Sequence, residues 1–482
     1  MMAGEPKRMP LELADRIPLP DEKETAAKRV AAMEGFDRKI VVLDDDPTGV
    51  QTVHGVYVFT DWEVDTLVQG MESEQAMFFV LTNSRGFTAP QTETAHREIA
   101  YNLAEASRRT GKDFVLVSRS DSTLRGHYPL ETEILRSALE EKLGIRYDGE
   151  VIMPYFKEGG RLTIGDVHYV KMGGELVPAG LTEFARDTTF AYRASDLKQW
   201  CEERTGGAFP AERVVSVSLE ELRRRDYEGI RTKLLGVTGF GKVVVNAADD
   251  VDVEVFVTVL LDVIRAGKQF LFRSAAGLVR VLGGVSRRPL LTREELCPDD
   301  SGLGGLVVVG SHVKKTTQQL ECLLSGIKGL EEICFQAQSA LRPGGLEEER
   351  KRVLAEAERA IQAGKTAVVY TSRQVLRASQ DSSDQNLSLS VRISQALTGV
   401  VSDLTIRPAF VVAKGGITSS DVGIKALRVR KALVMGQAAP GIPVWKTGEE
   451  SKFPGMAYVI FPGNVGEVET LRDVVKTLMT KE

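Results

Sequence analysis

Short apolar runs rich in β-branched residues and free of polar alternation recur along this chain, and segments of helical periodicity lie between them. "KIVVL" (39–43), "AMFFVLT" (76–82), "DFVLVS" (113–118), "EVIMP" (150–154) and "KVVVN" (242–246) have this character. A strand without alternation is covered on both faces, which is the condition of a parallel sheet sandwiched by helices. Between them, "TETAHREIAYNLAEASRRTG" (92–111) sets Ala95, Ile99, Leu103 and Ala106 at helical spacing, with Gly111 placed as a C-cap after basic residues. A second series follows from about residue 305: "GLVVVGS", "EICFQA", "TAVVYTS", "PAFVVAKGG" and "AYVIFPGN", with "LEEERKRVLAEAERAIQAG" as an intervening helix. The fold class predicted is α/β, with two α/β domains, each a mostly parallel sheet flanked by helices.

A chain of 482 residues exceeds one ordinary core. The division falls where polar, Pro and Gly residues cluster around "VSRRPLLTREELCPDDSGLGG" (285–305). The expected plan is an N-terminal extension over 1–37, a first domain over 38–290 and a second over 300–482. The 43% hydrophobic content and 27% charged content suit a globular protein, and no stretch approaches the roughly 18 apolar residues that span a membrane. The charged, proline-broken N-terminus has no apolar core of a signal peptide. Cys201, Cys297, Cys322 and Cys334 lack paired spacing, so no disulfide framework is expected and a cytoplasmic location is. His54, His96, His127, His168 and His312 show no ligand spacing, so no metal site is expected within the chain. A net charge of -5 supplies no basic field for nucleic acid.

In a parallel α/β sheet, ligands bind beyond the carboxyl ends of the strands. Here the first of these runs ends on Asp44, Asp45 and Asp46, the second on Asn83, Ser84 and Arg85, and the third on "SRSDSTLRGHY", carrying Arg119, Ser120, Asp121, Ser122, Thr123, Arg125 and His127. Aspartate, proline, threonine and glycine also make ordinary solvated turns, but three successive strand ends with the same chemistry argue for a pocket. Arginine forks offset the cost of clustering carboxylates and recognise carboxylate or phosphate bidentately. The ligand implied is small, anionic and polyhydroxylated. His127 suits packing as well as catalysis.

Strand ends of the second domain carry glycine. "VVVGSHVKKTTQQLECLL" (307–324) passes from strand through Gly310 and Ser311 into a helix, a geometry in which free N–H groups face an anion. "VVAKGGITSSDVGIKAL" (411–427) repeats the plan with Gly415, Gly416, Ile417 and Thr418, where Thr418, Ser419 and Ser420 are expected to cap a helix. "VIFPGNVG" (459–466) adds Gly463. One such turn is ordinary; three in one domain favour a nucleotide. "QAGKTAVVY" (362–370) is not a Walker A loop, since position 359 is Arg and the order is helix then strand, and no GxGxxG follows a strand.

The blocks "DDDPTGVQTVHG", "TNSRGF", "SRSDSTLRGHYPLE", "KEGGRLTIGDVHYV", "TEFARDTTFAYR", "GSHVKKTTQQL", "AKGGITSSD" and "FPGNVG" resemble, in order, those of the four-carbon acid sugar kinase family, over about residues 38–475. The resemblance implies an N-terminal domain for a sugar acid such as threonate, erythronate or 3-oxo-tetronate and a C-terminal domain for ATP. It implies substrate contacts from Asp45, Arg85 and the run Arg119 to Ser122, and ATP contacts from Ser311, Gly415 to Thr418, and Gly463. Asp46–Pro47, Arg119 and Ile417 depart from the family's usual residues and mark a divergent branch. The expected reaction is phosphorylation of a sugar-acid hydroxyl by ATP with Mg2+. Arg85, Arg119 or Arg125 would clamp the carboxylate, Asp44 would lie in the same pocket, and Asp45 or Asp121 would act on the hydroxyl. Two other readings stay open: a non-catalytic sensor of sugar acid and nucleotide, or an ATP-dependent ligase. A homodimer is expected only because soluble α/β enzymes so often pair.

Overall fold

The computed structural model describes residues 6–298, 301–372, 383–463 and 465–479, side chains of 383–388 excepted. The chain forms two compact units. One holds Met1–Gly49 and Asp61–Ser286, the other Val50–Thr60 and Arg287–Glu482. The excursion of residues 50–60 into the second unit has no mark in the sequence, because its strand Val56–Phe59 is a short apolar run like any other.

In the first unit a parallel sheet runs in the order Val215–Val217, Gly241–Val245, Gly149–Met153, Phe270–Ser274, Phe114–Arg119, Lys39–Asp44, Met77–Leu81. Every residue of Lys39–Asp44 and Met77–Leu81 is buried, the two-sided cover that unalternating sequence calls for. Phe270–Ser274, a central strand, follows directly on "RAGKQ" and was not read from sequence. The helix expected at 92–111 spans Ala89–Thr110; Thr88 and Gln91 form a capping box and Gly111 closes it in the left-handed region at φ 64°.

A separate antiparallel sheet in this unit joins Met9–Pro10, Glu175–Pro178, Val167–Met172 and Arg161–Ile164. Its residues share an apolar cluster with the parallel sheet, in which Val170, Ile152, Val244 and Tyr192 meet Tyr128 stacked on Trp200 at 4.4 Å. Residues 6–37 are built into the unit. The Met9–Pro10 strand pairs with Glu175–Pro178, and the buried Arg223 guanidinium, ion-paired with Asp252 at 3.1 Å, donates to the Ala14 carbonyl at 2.7 Å.

The second unit's sheet runs Val56–Phe59, Lys431–Ala439, Ile442–Thr447, Ala457–Phe461, Val411–Lys414, Leu306–Val309, Thr366–Thr371, Leu330–Phe335. From Ala457–Phe461 onward the pairs are parallel; the pairs before it are antiparallel. Lys431–Ala439 alternates between buried and half-buried residues and is bulged around Gly436. Helices Lys314–Gly326 and Thr470–Met479 cover one face with Leu320, Leu323, Leu471 and Val475 against Val307, Val412, Val459 and Phe461.

Candidate functional site

In the first unit the ends of adjacent strands set the site. Asp44 pairs in register with Arg119 and Leu81, and Arg119 with Ser274. Asn83, in the left-handed region at φ 54°, turns the Met77–Leu81 strand into a short helical turn, Ser84–Gly86. That turn carries Arg85 back over the neighbouring strand end. Its guanidinium grips Asp45 with two donors, Nη2 to Oδ1 at 2.6 Å and Nε to Oδ2 at 3.2 Å, and reaches Asp46 with Nη1 at 3.2 Å. Ser120 Oγ donates to Asp45 at 2.8 Å. Arg125 Nε donates to Asp121 at 2.8 Å and its Nη1 lies 3.7 Å from Asp187, while Thr123 Oγ1 also donates to Asp121. Asp44, Asp45, Asp46, Arg85, Ser120, Asp121 and Arg125 therefore form one charged cluster around these strand ends, and Arg119 joins it through Asp44 at 3.4 Å. Ser122 is buried, and its carbonyl is held by His168.

The electrostatics differ among neighbouring carboxylates. Burial pushes the Asp44 carboxyl up to about 8, the Arg119 guanidinium only partly opposing it and Asp45 and Asp46 adding to it. For Asp46 burial is outweighed by Arg85 and by the Thr48 side chain and amide, so its carboxyl lies below the ordinary range. Burial likewise opposes ionisation of Asp121, but Arg85 and Arg125 prevail and hold it far below that range. A protonated carboxyl beside ionised ones separates hydrogen-bond donor from acceptor roles. Gly49 is needed here: a Cβ on it would stand 1.8 Å from Asp44 Oδ2.

The "SRSDSTLRG" loop is held from behind. Arg273, at the end of the central strand, donates to the carbonyls of Asp121 and Arg125, each at 2.9 Å. His168 Nε2 donates to the Ser122 carbonyl at 2.8 Å and Nδ1 accepts from Thr163 Oγ1 at 3.0 Å. Burial lowers His168 to about 4, so the ring is a neutral strut. His127 resolves toward packing, with Nε2 on the Phe87 carbonyl at 2.9 Å and its ring edge-on to Phe190 at 4.8 Å. Arg161, Asp187, Arg273 and His168 went unassigned by sequence reasoning. The block "KEGGRLTIGDVHYV" that carries Arg161 and His168 was visible, but no strand end of the parallel sheet places it.

In the second unit a cavity of about 420 Å3 is lined by Gly310, Ser311 and His312, by Thr371, by Gly415 to Thr418, and by the face of helix Ser383–Asp403 that bears Val391, Ser394 and Leu397. Two of these glycines are sterically required. A Cβ on Gly310 would stand 2.3 Å from Thr418 Oγ1, and Gly415 sits at φ 119° against Ser311. The helix here begins at Gly416 with Gly415 as its N-cap, so Thr418, Ser419 and Ser420 lie inside it and do not cap it as expected; Ser419 Oγ instead donates to the Ala413 carbonyl at 2.7 Å. A π-helical turn, Val422–Ala426, follows at once. Ile417 is 75% exposed and Val391 45%, giving the cavity an apolar rim. Gly463 stands apart from the lining. Its carbonyl accepts from buried Lys414 at 2.8 Å and from Thr316 at 3.3 Å, and Asn464 beside it lies outside the described residues. Burial, reinforced by Lys315, brings the Lys414 ammonium down to about 7.

These two sites define a class: a two-domain α/β protein with a polar, charge-paired site in one unit and a glycine-walled cavity in the other. A family model described as a sugar-binding N-terminal domain matches residues 40–282, and one described as a nucleotide-binding C-terminal domain matches residues 306–471. The chain belongs to the family that joins these two domains, the DUF1537 or four-carbon acid sugar kinase family. No curated relative matches it in sequence. Among solved structures, a Salmonella typhimurium LT2 protein provisionally described as a tRNA synthase superposes with TM-score 0.63 at 14% identity, over 90% of this chain and 98% of that one. A Haemophilus influenzae protein of the DUF1537 family does so with TM-score 0.58 at 16% identity, over 91% and 100%. At such identities the likeness is one of fold. Among the described residues no helix is long and apolar enough to cross a membrane.

Proposed function

We propose that the protein is an ATP-dependent kinase that phosphorylates a hydroxyl of a small sugar acid of the four-carbon type, producing ADP. The observation that carries the reading is the Asp45–Arg85 and Asp121–Arg125 cluster at strand ends of a domain matched as sugar-binding, in a chain whose other domain is matched as nucleotide-binding. Phosphoryl transfer asks the protein mainly for positioning and charge neutralisation. Asp45 and Asp121, both clamped by arginine, are the carboxylates suited to orient the attacking hydroxyl and accept its proton. Asp44, 1% exposed, backs this cluster and braces Arg119.

The cavity in the second unit fits a nucleotide in kind. Its volume is within the range of small-molecule sites, backbone at Gly310, Gly415 and Gly416 leaves room for close approach of phosphates, and Ile417 and Val391 offer apolar surface to a base. Mg2+ supplies neutralisation of phosphate charge when bound. Among the described residues no group of three or more His, Cys, Asp or Glu could cage a metal, so the ion would be held chiefly by the nucleotide phosphates and water.

The test is ADP release from ATP and Mg2+ across a panel of four-carbon and neighbouring sugar acids. Turnover with one acid is expected, and Arg85→Ala and Asp45→Asn should each lower kcat/KM by about 100-fold or more, the scale of a lost positioned proton acceptor. AMP in place of ADP would turn the reading to a ligase. Binding of acid and nucleotide without turnover would turn it to a sensor.

A further inference from the structure

A sugar acid brings a carboxylate that must meet a cation, and most arginines of the site are already committed. Arg85 is spent on Asp45 and Asp46, Arg125 on Asp121 and Asp187, and Arg273 on two backbone carbonyls. Arg119 is 5% exposed and sits against Asp44. Arg161 differs. It has no carboxylate partner among the described residues and its guanidinium donates only to the Gly159 carbonyl; its Nε, like those of Arg119 and Arg273, is buried without a hydrogen bond.

Its position is built. Phe156 and Arg161 exchange backbone hydrogen bonds at 3.0 and 2.9 Å across the Gly159–Gly160 turn, with Gly160 at φ 71°. The turn leaves room for the guanidinium to fold back over it: a Cβ on Gly159 would stand 2.7 Å from Arg161 Nη1. The Arg161 guanidinium lies 5.7 Å from the Phe184 ring centroid and that of Arg125 5.2 Å from the same ring, which brings the unpaired cation beside the Asp121–Arg125 pair. Burial lowers the Arg161 guanidinium below its ordinary range, Asp121 countering this in part and Arg125 adding to it, but it stays a full cation at neutral pH. A cation held partly out of water without a counter-ion is costly unless a ligand supplies the anion.

We infer that Arg161, presented by the Gly159–Gly160 turn and the Phe184 ring, is the residue that takes the substrate's carboxylate, while Arg85 and Arg125 serve to hold the site's aspartates. The inference deepens the proposed function and rests on its assignment of a sugar acid to the first unit. It displaces Arg85, Arg119 and Arg125 from the role of carboxylate clamp that the sequence suggested for them.

The experiment uses the full chain with D-erythronate, D-threonate and the uncharged polyol erythritol, measuring acid binding by calorimetry and turnover by ADP release. Arg161→Ala should weaken binding of the preferred acid and raise its KM at least 30-fold, leave KM for ATP within twofold, and erase the preference for acid over erythritol; Arg161→Lys should recover part of the loss. Gly159→Ala, whose methyl group would crowd both the Phe156 ring and the guanidinium, should raise KM for the acid in the same direction. If the wild type binds and turns over an acid and Arg161→Ala does so with unchanged KM, the inference is overturned and the kinase reading stands. If acids bind without turnover and Arg161→Ala weakens that binding, the inference stands and the kinase reading falls. If none of the acids binds the wild type, both fall.

Discussion

At the scale of single residues, the three consecutive aspartates after "KIVVL" end in unlike electrostatic states although their side chains are identical. Asp46 accepts from Arg85 and Thr48, whereas Asp44 is sealed beneath Gly49 with Arg119 at 3.4 Å and is pushed up to about 8 by burial. A carboxyl raised from 3.8 to about 8 on folding binds more protons folded than unfolded between those values. Its stabilising contribution is therefore complete below pH 4 and is lost as pH rises through 8. Wild-type protein should lose melting temperature between about pH 4 and 8, and Asp44→Asn, which resembles the protonated form, should flatten that fall. Parallel melting curves for the two proteins over this range would rule out the burial argument. That these positions are polar and face a pocket was visible in the sequence. Which aspartate keeps its proton was not, since it depends on burial and on arginines 40 and 75 residues away.

At the scale of elements, strands and turns carry the site in different ways. Strand ends align Asp44, Arg119 and Ser274 by parallel register, which sequence order alone conveys for two of the three. The Phe270–Ser274 strand was missed because it is short and a single polar residue, Arg273, interrupts its apolar run. Another charge within strands has a similar explanation: Lys242 and Glu150, side by side in register and fully buried, pair at 2.6 Å, with Lys242 also over the Phe240 ring at 4.0 Å. Read singly they look like strand boundaries; paired, they satisfy each other inside the sheet. Glycine turns build the second site. Gly310→Ala would set a methyl group on Thr418, so nucleotide affinity should fall by about tenfold or more, the effect of about 1.4 kcal/mol or more, with the overall fold retained. Calorimetry with an ATP analogue checks this, and unchanged affinity would remove Gly310 from the nucleotide site.

At the scale of the whole molecule, the chain distributes its binding chemistry between two units with separate cores. Nucleotide should therefore slow amide exchange chiefly in Leu306–Val309, Val411–Lys414 and the helix beginning at Gly416, and sugar acid chiefly in Lys39–Asp44, Ser84–Gly86 and the turn before Arg161, as read by hydrogen exchange and mass spectrometry. Protection of the first unit by nucleotide alone would contradict this assignment. The amino-acid order by itself determined the α/β character, most strands of the parallel sheets and the residues at their carboxyl ends, because the cover of a parallel sheet and the geometry of its strand ends follow from local pattern. Tertiary structure alone decided the antiparallel half of the second sheet, the placing of residues 50–60 in the second unit, the cavity wall from helix Ser383–Asp403, and the unpaired state of Arg161. Apart from the local pairings of Ile442–Thr447 with the strands before and after it, these depend on contacts between residues far apart in the chain, whose cost and gain appear only once the chain is folded.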